Sequence, residues 1–346
     1  RPCPSDARRS TPREWRRFLT RRTAVVVAVI LGVVLIAGGA LTLWLLSRPT
    51  GPEATAAAYL SALERGDGPA ASALSDQRAA NVPPVAFDAL AGASEWIAEA
   101  SVGSVARDGT DASAKVSFTL SGGTHDATIG LSNASGAWLV TVAPAVAVVA
   151  KSTLGAGIVV GGSGSGGGSG SPGTAGAGSA GIAMPFDESG SVTIGLLPAV
   201  YEVSAAPAGL LEGAASVVAI GPAPIEIALD PLLGEAATAA AQTQFTAYLA
   251  ACTAPTTTVP SACGIRVPWA ADLATLSGLK FRIDVAPALV LAPDGSGFAA
   301  TGGTLIATAT GTTDEGTEAS FTYRDTEWAL RGGIAFTLDQ LVLEVW

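Results

Sequence analysis

Apolar positions recur along this chain in three rhythms, and each predicts a different element. From Ala24 to Leu46 the run is unbroken, 23 residues without a charge. As a helix at ~1.5 Å per residue it spans about 35 Å, enough to cross a bilayer. Beyond it, "PEATAAAYLSALERGDG" carries the helical rhythm, with Ala56, Tyr59, Leu60 and Leu63 on one face. Thr50 or Gly51 caps it, Pro52 suits the first helical position, Glu53 complements the positive end, and "RGDG" stops it. Arg65-Gly66-Asp67 also spells a cell-adhesion tripeptide, but a helix C-terminus followed by glycine accounts for it without a partner. Helical material continues, most clearly in "FDALAGASEWIAEA" (87–100).

The period then changes to two. "SVGSVARDG", "DASAKVSFTLSGG", "THDATIGLSNASG" and "AWLVTVAP" alternate as strands, with Asp-Gly, Gly-Gly and Ser-Gly at the turns. Residues 52–143 therefore read as helices followed by a four-stranded antiparallel meander, an α+β layout. Strands continue in "AVAVVAKSTLGAGIVVGG" (145–162), where Lys151 breaks the apolar run and excludes a second membrane span. The tract "GGSGSGGGSGSPGTAGAGSAG" (161–181) has no Gly-Lys-Ser/Thr and no following helix, so it is no P-loop. It reads as a flexible low-complexity insert in an expanded hairpin, because strands resume at 190–207 and 214–231.

The last third repeats the first. "LGEAATAAAQTQFTAYLAAC" (233–252) is helical and shares the aromatic-Leu ending of the first helix. Strands follow at 276–291, 297–311, 317–333 and 334–346, with Asp294-Gly295 and Gly332-Gly333 marking turns and Trp328 and Trp346 placed to close the sheet. The expected fold class is α+β: one transmembrane helix (24–46), then two helix-then-antiparallel-sheet domains (50–143 and 234–346) flanking a small β-sandwich module (145–231).

Charge fixes the orientation. Residues 1–23 hold eight arginines against Asp6 and Glu14, a net of +6. Arg16, Arg17, Arg21 and Arg22 abut the apolar run, while only Arg48 lies close on the far side. The positive-inside bias keeps a basic tail (1–23) in the cytoplasm and exports residues 48–346. A cleavable signal would have a shorter apolar region closed by an Ala-x-Ala-like site. Here the run closes on "LTLWLLSRP", and Ala54-Thr55-Ala56 lies inside a predicted helix. The segment reads as an anchor. Gly32, Gly38 and Gly39 form no strict G-x-x-x-G, so they carry no pairing prediction. With the overall charge at −10, the remainder carries −16 and few lysines, which excludes nucleic acid as a partner.

Candidate chemistry is sparse. Cys252 and Cys263 bracket the Thr/Pro-rich "CTAPTTTVPSAC", a loop that a disulfide would staple in an exported chain, contributing roughly 3 kcal/mol. A metal site fails there for want of nearby ligands, since His125 is the sole histidine. Cys3 in the tail reads as a free thiol or as the remnant of a zinc ribbon, which needs four ligands. His125 and Asp126 are adjacent on a strand and face opposite ways, which excludes an Asp–His relay. Asp314/Glu315 read as turn residues or a weak Ca²⁺ site. Tyr323-Arg324-Asp325 with Glu327 reads as an exposed, salt-bridged face. No Ser lies in G-x-S-x-G, and Lys151-Ser152-Thr153 lacks the companion motifs of Ser–Lys hydrolases. No cofactor, no metal and no catalysis are expected.

Two resemblances add to this reading. The helix-then-meander order, the opening "AAAYLSALERGD" and the Trp-bearing last strand resemble the NTF2-like (cystatin-like) superfamily, in its small exported versions from actinobacterial and other Gram-positive envelopes. That implies a sheet curled round a helix into a cone, a fold that serves binding, scaffolding and catalysis alike. "LLPAVYEVSA" is similar to the signature of PEGA-like β modules, whose Tyr and Val face the core, with Ala199 where that family usually has Gly. The whole layout resembles TcaA-like membrane proteins. It implies a single-pass envelope protein whose partners are the lipid bilayer and a cell-wall component or another membrane protein. The alternative is a small-ligand sensor or carrier that uses an NTF2-like cone as its pocket.

Overall fold

The computed structural model describes residues 51–78, 81–133, 136–162 and 181–346. The expected anchor, the basic tail, Cys3 and Arg16, Arg17, Arg21 and Arg22 lie outside the described residues, as does most of the Gly-rich insert. No helix among the described residues is long and apolar enough to cross a membrane. The fold is α+β, with few helices and mostly antiparallel sheets, and Gly51–Trp346 form one compact unit.

Helix α1 (Pro52–Glu64) buries Ala56, Tyr59, Leu60 and Leu63, the face set by the i, i+3, i+4 spacing. Short helices α2 (Gly68–Ala73) and α3 (Pro84–Leu90) follow. The Arg-Gly-Asp stretch is the joint between α1 and α2: Arg65 caps the first helix, and Asp67 Oδ1 accepts from the Ala70 N–H at 3.0 Å to cap the second.

The expected helix over 87–100 is corrected. It ends at Leu90, and the chain turns into β1 (Glu95–Trp96) and β2 (Ala98–Asp108). Alanine-rich sequence carries the helical period there, but tertiary pairing overrides it. Trp96 spends its indole N–H on the Leu90 carbonyl at 2.8 Å, closing the helix, and β1 pairs with a distant strand at Val200.

β3 (Asp111–Leu120), β4 (Gly123–Ser132) and β5 (Leu139–Val142) complete the meander in the order β2-β3-β4-β5. Strict alternation buries Ala112, Ala114, Val116, Phe118 and Leu120 of β3 against α1.

The next residues build two sheets. β6 (Val146–Ser152) runs antiparallel to β9 (Ser191–Leu196) and parallel to β13 (Ile225–Leu229). β10 (Ala199–Ala206) pairs with β1, with β7 (Gly157–Val160) and with β12 (Ala214–Val218). β8 (Ile182–Pro185), on the far side of the Gly-rich tract, is the antiparallel neighbour of β7. β11 (Leu211–Glu212) and β14 (Leu232–Leu233) form a small ribbon. Tyr201 and Val203 of β10 are fully buried, and one continuous core runs from Ala56 to Leu229.

Helix α4 (Glu235–Cys252) buries Ala237, Ala241, Phe245, Leu249 and Cys252, a stripe at three- and four-residue spacing. It packs over the last sheet, with Phe245 edge-on to Phe298 at 6.0 Å. That sheet has the order β15-β17-β18-β19, with β16 beside β17. Two expected boundaries move. The strand expected over 276–291 is two, β15 (Thr275–Val285) and β16 (Ala288–Leu291), because Pro287 between them has no N–H to give a ladder.

The Gly332-Gly333 turn is likewise corrected: both residues lie inside β18 (Glu318–Phe336), and the reversal into β19 (Leu341–Val345) comes at Thr337–Gln340. Glycine at 332 answers crowding, since a Cβ there would sit 2.0 Å from the Glu344 carbonyl oxygen. β17 (Gly297–Thr312) is the central strand.

Candidate functional site

The expected disulfide is formed: Cys252, the last residue of α4, is bonded to Cys263, and both are buried. From Cys263 the chain crosses the stretch of β18 that β19 leaves uncovered. One hydrogen bond fixes it, and a glycine allows the close approach. The Trp328 indole N–H donates to the Cys263 carbonyl at 2.8 Å, and Gly264, at φ +62°, lies where a Cβ would come within 2.4 Å of the Ala329 carbonyl oxygen. Two residues further on stands Arg266, exposed beside the outer face of the sheet.

That face carries a continuous cross-strand row. Val290 of β16 pairs with Ala299 of β17, Ala299 pairs with Arg331 of β18, and the Trp346 N–H donates to the Arg331 carbonyl at 3.2 Å. All four side chains point outward, with Val290 66% and Trp346 68% exposed. Between those apolar walls the floor is small: Ala299 and Ala329 project little, and Gly297 and Gly333 nothing. The Trp346 ring leans over Gly333, where a Cβ would lie 3.0 Å from it.

The result is a pair of adjoining clefts of about 600 Å³ and 490 Å³ that share Ala299, Arg331 and Trp346. Arg266 and Thr301 line the second. Neither Arg266 nor Arg331 has a carboxylate within ion-pairing distance among the described residues, where the two ion pairs present both involve Asp284.

The other sequence candidates lie outside these clefts. His125 packs against Phe118 at 6.1 Å, on the opposite face of β4 from exposed Asp126. Lys151-Ser152-Thr153 sits at the end of a strand, where the Ser152 hydroxyl donates to the Leu154 carbonyl and the Thr153 hydroxyl donates to Asp230. Glu315 lies in the turn after β17. No group of three or more metal-capable side chains occurs among the described residues.

The cluster on β18 divides by strand alternation. Arg324 pairs with Asp284 at 2.8 Å on one face, and the Tyr323 hydroxyl donates to Asp272 at 2.7 Å on the other. Partial desolvation, with Asp272 next, pushes the Tyr323 phenol up to about 12. Asp325 Oδ1 accepts from the Glu327 N–H at 2.9 Å.

Trp328 and Trp346, expected to close the sheet together, part company. Trp328 is fully buried beneath it, whereas Trp346 stands on its outer side. The trough that Trp346 walls escaped the sequence reading, because its signal is strand register rather than a motif. Beyond the bulge in β18 the outward positions Ala329 and Arg331 come level with Ala299 of β17, and with Trp346 just past β19, only once the strands are aligned. No protein family, curated protein or solved structure matches the chain.

Proposed function

We propose that this chain is a membrane-anchored, extracytoplasmic binding or scaffold protein of the cell envelope, without catalytic activity, and that the trough between Val290 and Trp346 is its ligand surface. The observation that carries the reading is the pair of arginines, Arg266 and Arg331, without an ion-pair partner among the described residues, converging beside an exposed indole on a floor of Ala and Gly. A concave surface with an aromatic wall and a few convergent polar groups is the ordinary form of a recognition site. The Cys252–Cys263 disulfide favours an oxidising compartment outside the membrane. The uncharged run 24–46 with its arginine-rich flank supplies the anchor and its orientation.

The recurrence of helix-then-antiparallel-sheet, α1 with β2–β5 and α4 with β15–β19, supports two NTF2-like units around a PEGA-like middle. A cell-wall component is the partner this reading favours, ahead of another membrane protein. The test is co-sedimentation of the full chain, purified in mild detergent, with isolated peptidoglycan, with and without reducing agent. Saturable pelleting that weakens on reduction is expected, because the disulfide positions the loop bearing Arg266. Absence of pelleting under both conditions would overturn the wall-binding reading.

A further inference from the structure

Resting on that trough as the ligand surface, we infer that its ligand is a saccharide bearing a carboxylate. The floor comes first. Three paired strands, with Trp346 just past the end of a fourth, present Val290, Ala299, Arg331 and Trp346 in one row on a sheet surface, so the ligand meets a shallow bed with one tall wall. The wall is an indole that leans over Gly333, and its free face suits the C–H face of a pyranose ring better than a flexible chain.

Charge comes second. The residues beyond the tail carry −16, which disfavours anionic ligands over most of the surface. Within the trough the sign reverses: Arg266 and Arg331 both line the smaller cleft, and neither is neutralised by a carboxylate among the described residues. A guanidinium presents parallel N–H donors that match a carboxylate two-to-two.

The remaining polar groups separate a sugar acid from a phosphate. Glu344 is exposed on the neighbouring row, its Oε2 3.7 Å from where a Gly333 Cβ would lie, and exposed Thr301 lines the Arg266 cleft. A carboxylate at the rim repels a dianionic phosphate but accepts hydrogen bonds from sugar hydroxyls, and a threonine hydroxyl serves either sense. An aromatic wall, two arginines for one acidic group, and an acceptor and a hydroxyl for the ring substituents together fit an acidic monosaccharide unit within a polymer.

Titration calorimetry on the full chain in mild detergent tests this with three probes: oligogalacturonate, a neutral cello-oligosaccharide and linear polyphosphate. Binding of oligogalacturonate alone is expected, weakened about tenfold or more by Trp346→Ala or Arg331→Gln, as truncation of an anchor residue does. Lys115→Gln, on the outer face of the meander, serves as the control and should leave binding unchanged. The altered residues are exposed, and an unchanged melting temperature for each variant verifies folding.

Equal binding of polyphosphate would overturn the sugar-acid assignment in favour of a phosphate polymer. Equal binding of the neutral oligomer would overturn the role of the arginines. No binding of oligogalacturonate, with peptidoglycan pelleting intact, would overturn this inference alone. Loss of both would overturn the envelope-binding reading with it.

Discussion

Trp328 and Cys263 are 65 positions apart, yet the indole N–H of the first donates to the carbonyl of the second at 2.8 Å. Trp328 is fully enclosed in the core of the last sheet, so one side chain both fills that core and fastens the disulfide loop to β18. Trp328→Ala should cost about 3–5 kcal/mol, the range for deleting a large buried aromatic. Trp328→Phe should recover much of the packing but leave the Cys263 carbonyl unpaired, a penalty of about 1–3 kcal/mol. Urea unfolding of the three proteins, with constant m-values, measures both steps.

The same loop makes Arg266 sensitive to redox state. Cys252→Ser with Cys263→Ser removes a covalent closure worth roughly 3 kcal/mol for a loop of this size. The Trp328 hydrogen bond would still hold the chain against β18, so the domain should remain folded with a lower melting temperature. Its loop amides should exchange with deuterium faster while those of β17 stay protected, and acceleration spread evenly over both would contradict this arrangement.

Much of the fold was legible because burial and period agree. In β3 the buried Ala112, Ala114, Val116, Phe118 and Leu120 alternate with exposed neighbours, and in α4 the buried Ala237, Ala241, Phe245 and Leu249 recur every fourth residue. The disulfide was legible from two cysteines bracketing an aperiodic loop. Misreadings fall where a distant partner decides. Trp96 and its neighbours carry a helical pattern but are claimed by Val200.

Gly332 and Gly333 look like a turn, yet a Cβ at 332 would meet the Glu344 carbonyl oxygen at 2.0 Å, and one at 333 would crowd the Trp346 ring. The trough lies beyond any local pattern, because Arg266 reaches it from a loop and Arg331 from a strand 65 positions later.

Gln244 of α4 guards the edge of β19. Its Nε2 donates to the Leu341 carbonyl, and its Oε1 accepts from the Leu343 N–H at 3.2 Å. Both backbone groups face away from β18, so one side-chain amide stands in for a missing neighbouring strand. Gln244→Ala should cost about 1–2 kcal/mol, the sum of two ordinary hydrogen bonds. The specific signature is the Leu343 amide: its exchange should accelerate well beyond that of Val342, whose ladder position toward β18 is untouched. Equal acceleration of the two would mean that the substitution loosened the whole strand.

Tyr59 and Tyr201 set the alkaline limit of the first core. Both are fully buried, and burial pushes each phenol well above its ordinary value, with the proximity of Tyr59 adding to the effect on Tyr201. In the unfolded chain each titrates near 10. The sign follows from proton binding: above about pH 10 the unfolded state releases protons that the folded state keeps, so stability is complete below that pH and falls as pH rises further, by up to ~1.4 kcal/mol per unit for each tyrosine.

The two differ at neutral pH. The Tyr201 hydroxyl donates to the Leu197 carbonyl at 3.0 Å, whereas the Tyr59 hydroxyl has no hydrogen-bond partner among the described residues. Tyr201→Phe should therefore cost about 1 kcal/mol at pH 7, and Tyr59→Phe should cost nothing or stabilise slightly. Each substitution should flatten the alkaline limb, leaving a residual slope from Tyr248 and Tyr323, whose phenols are also raised. Urea unfolding at half-unit intervals from pH 8 to pH 11 would show it. A slope unchanged in the double variant would place the alkaline transition outside this core.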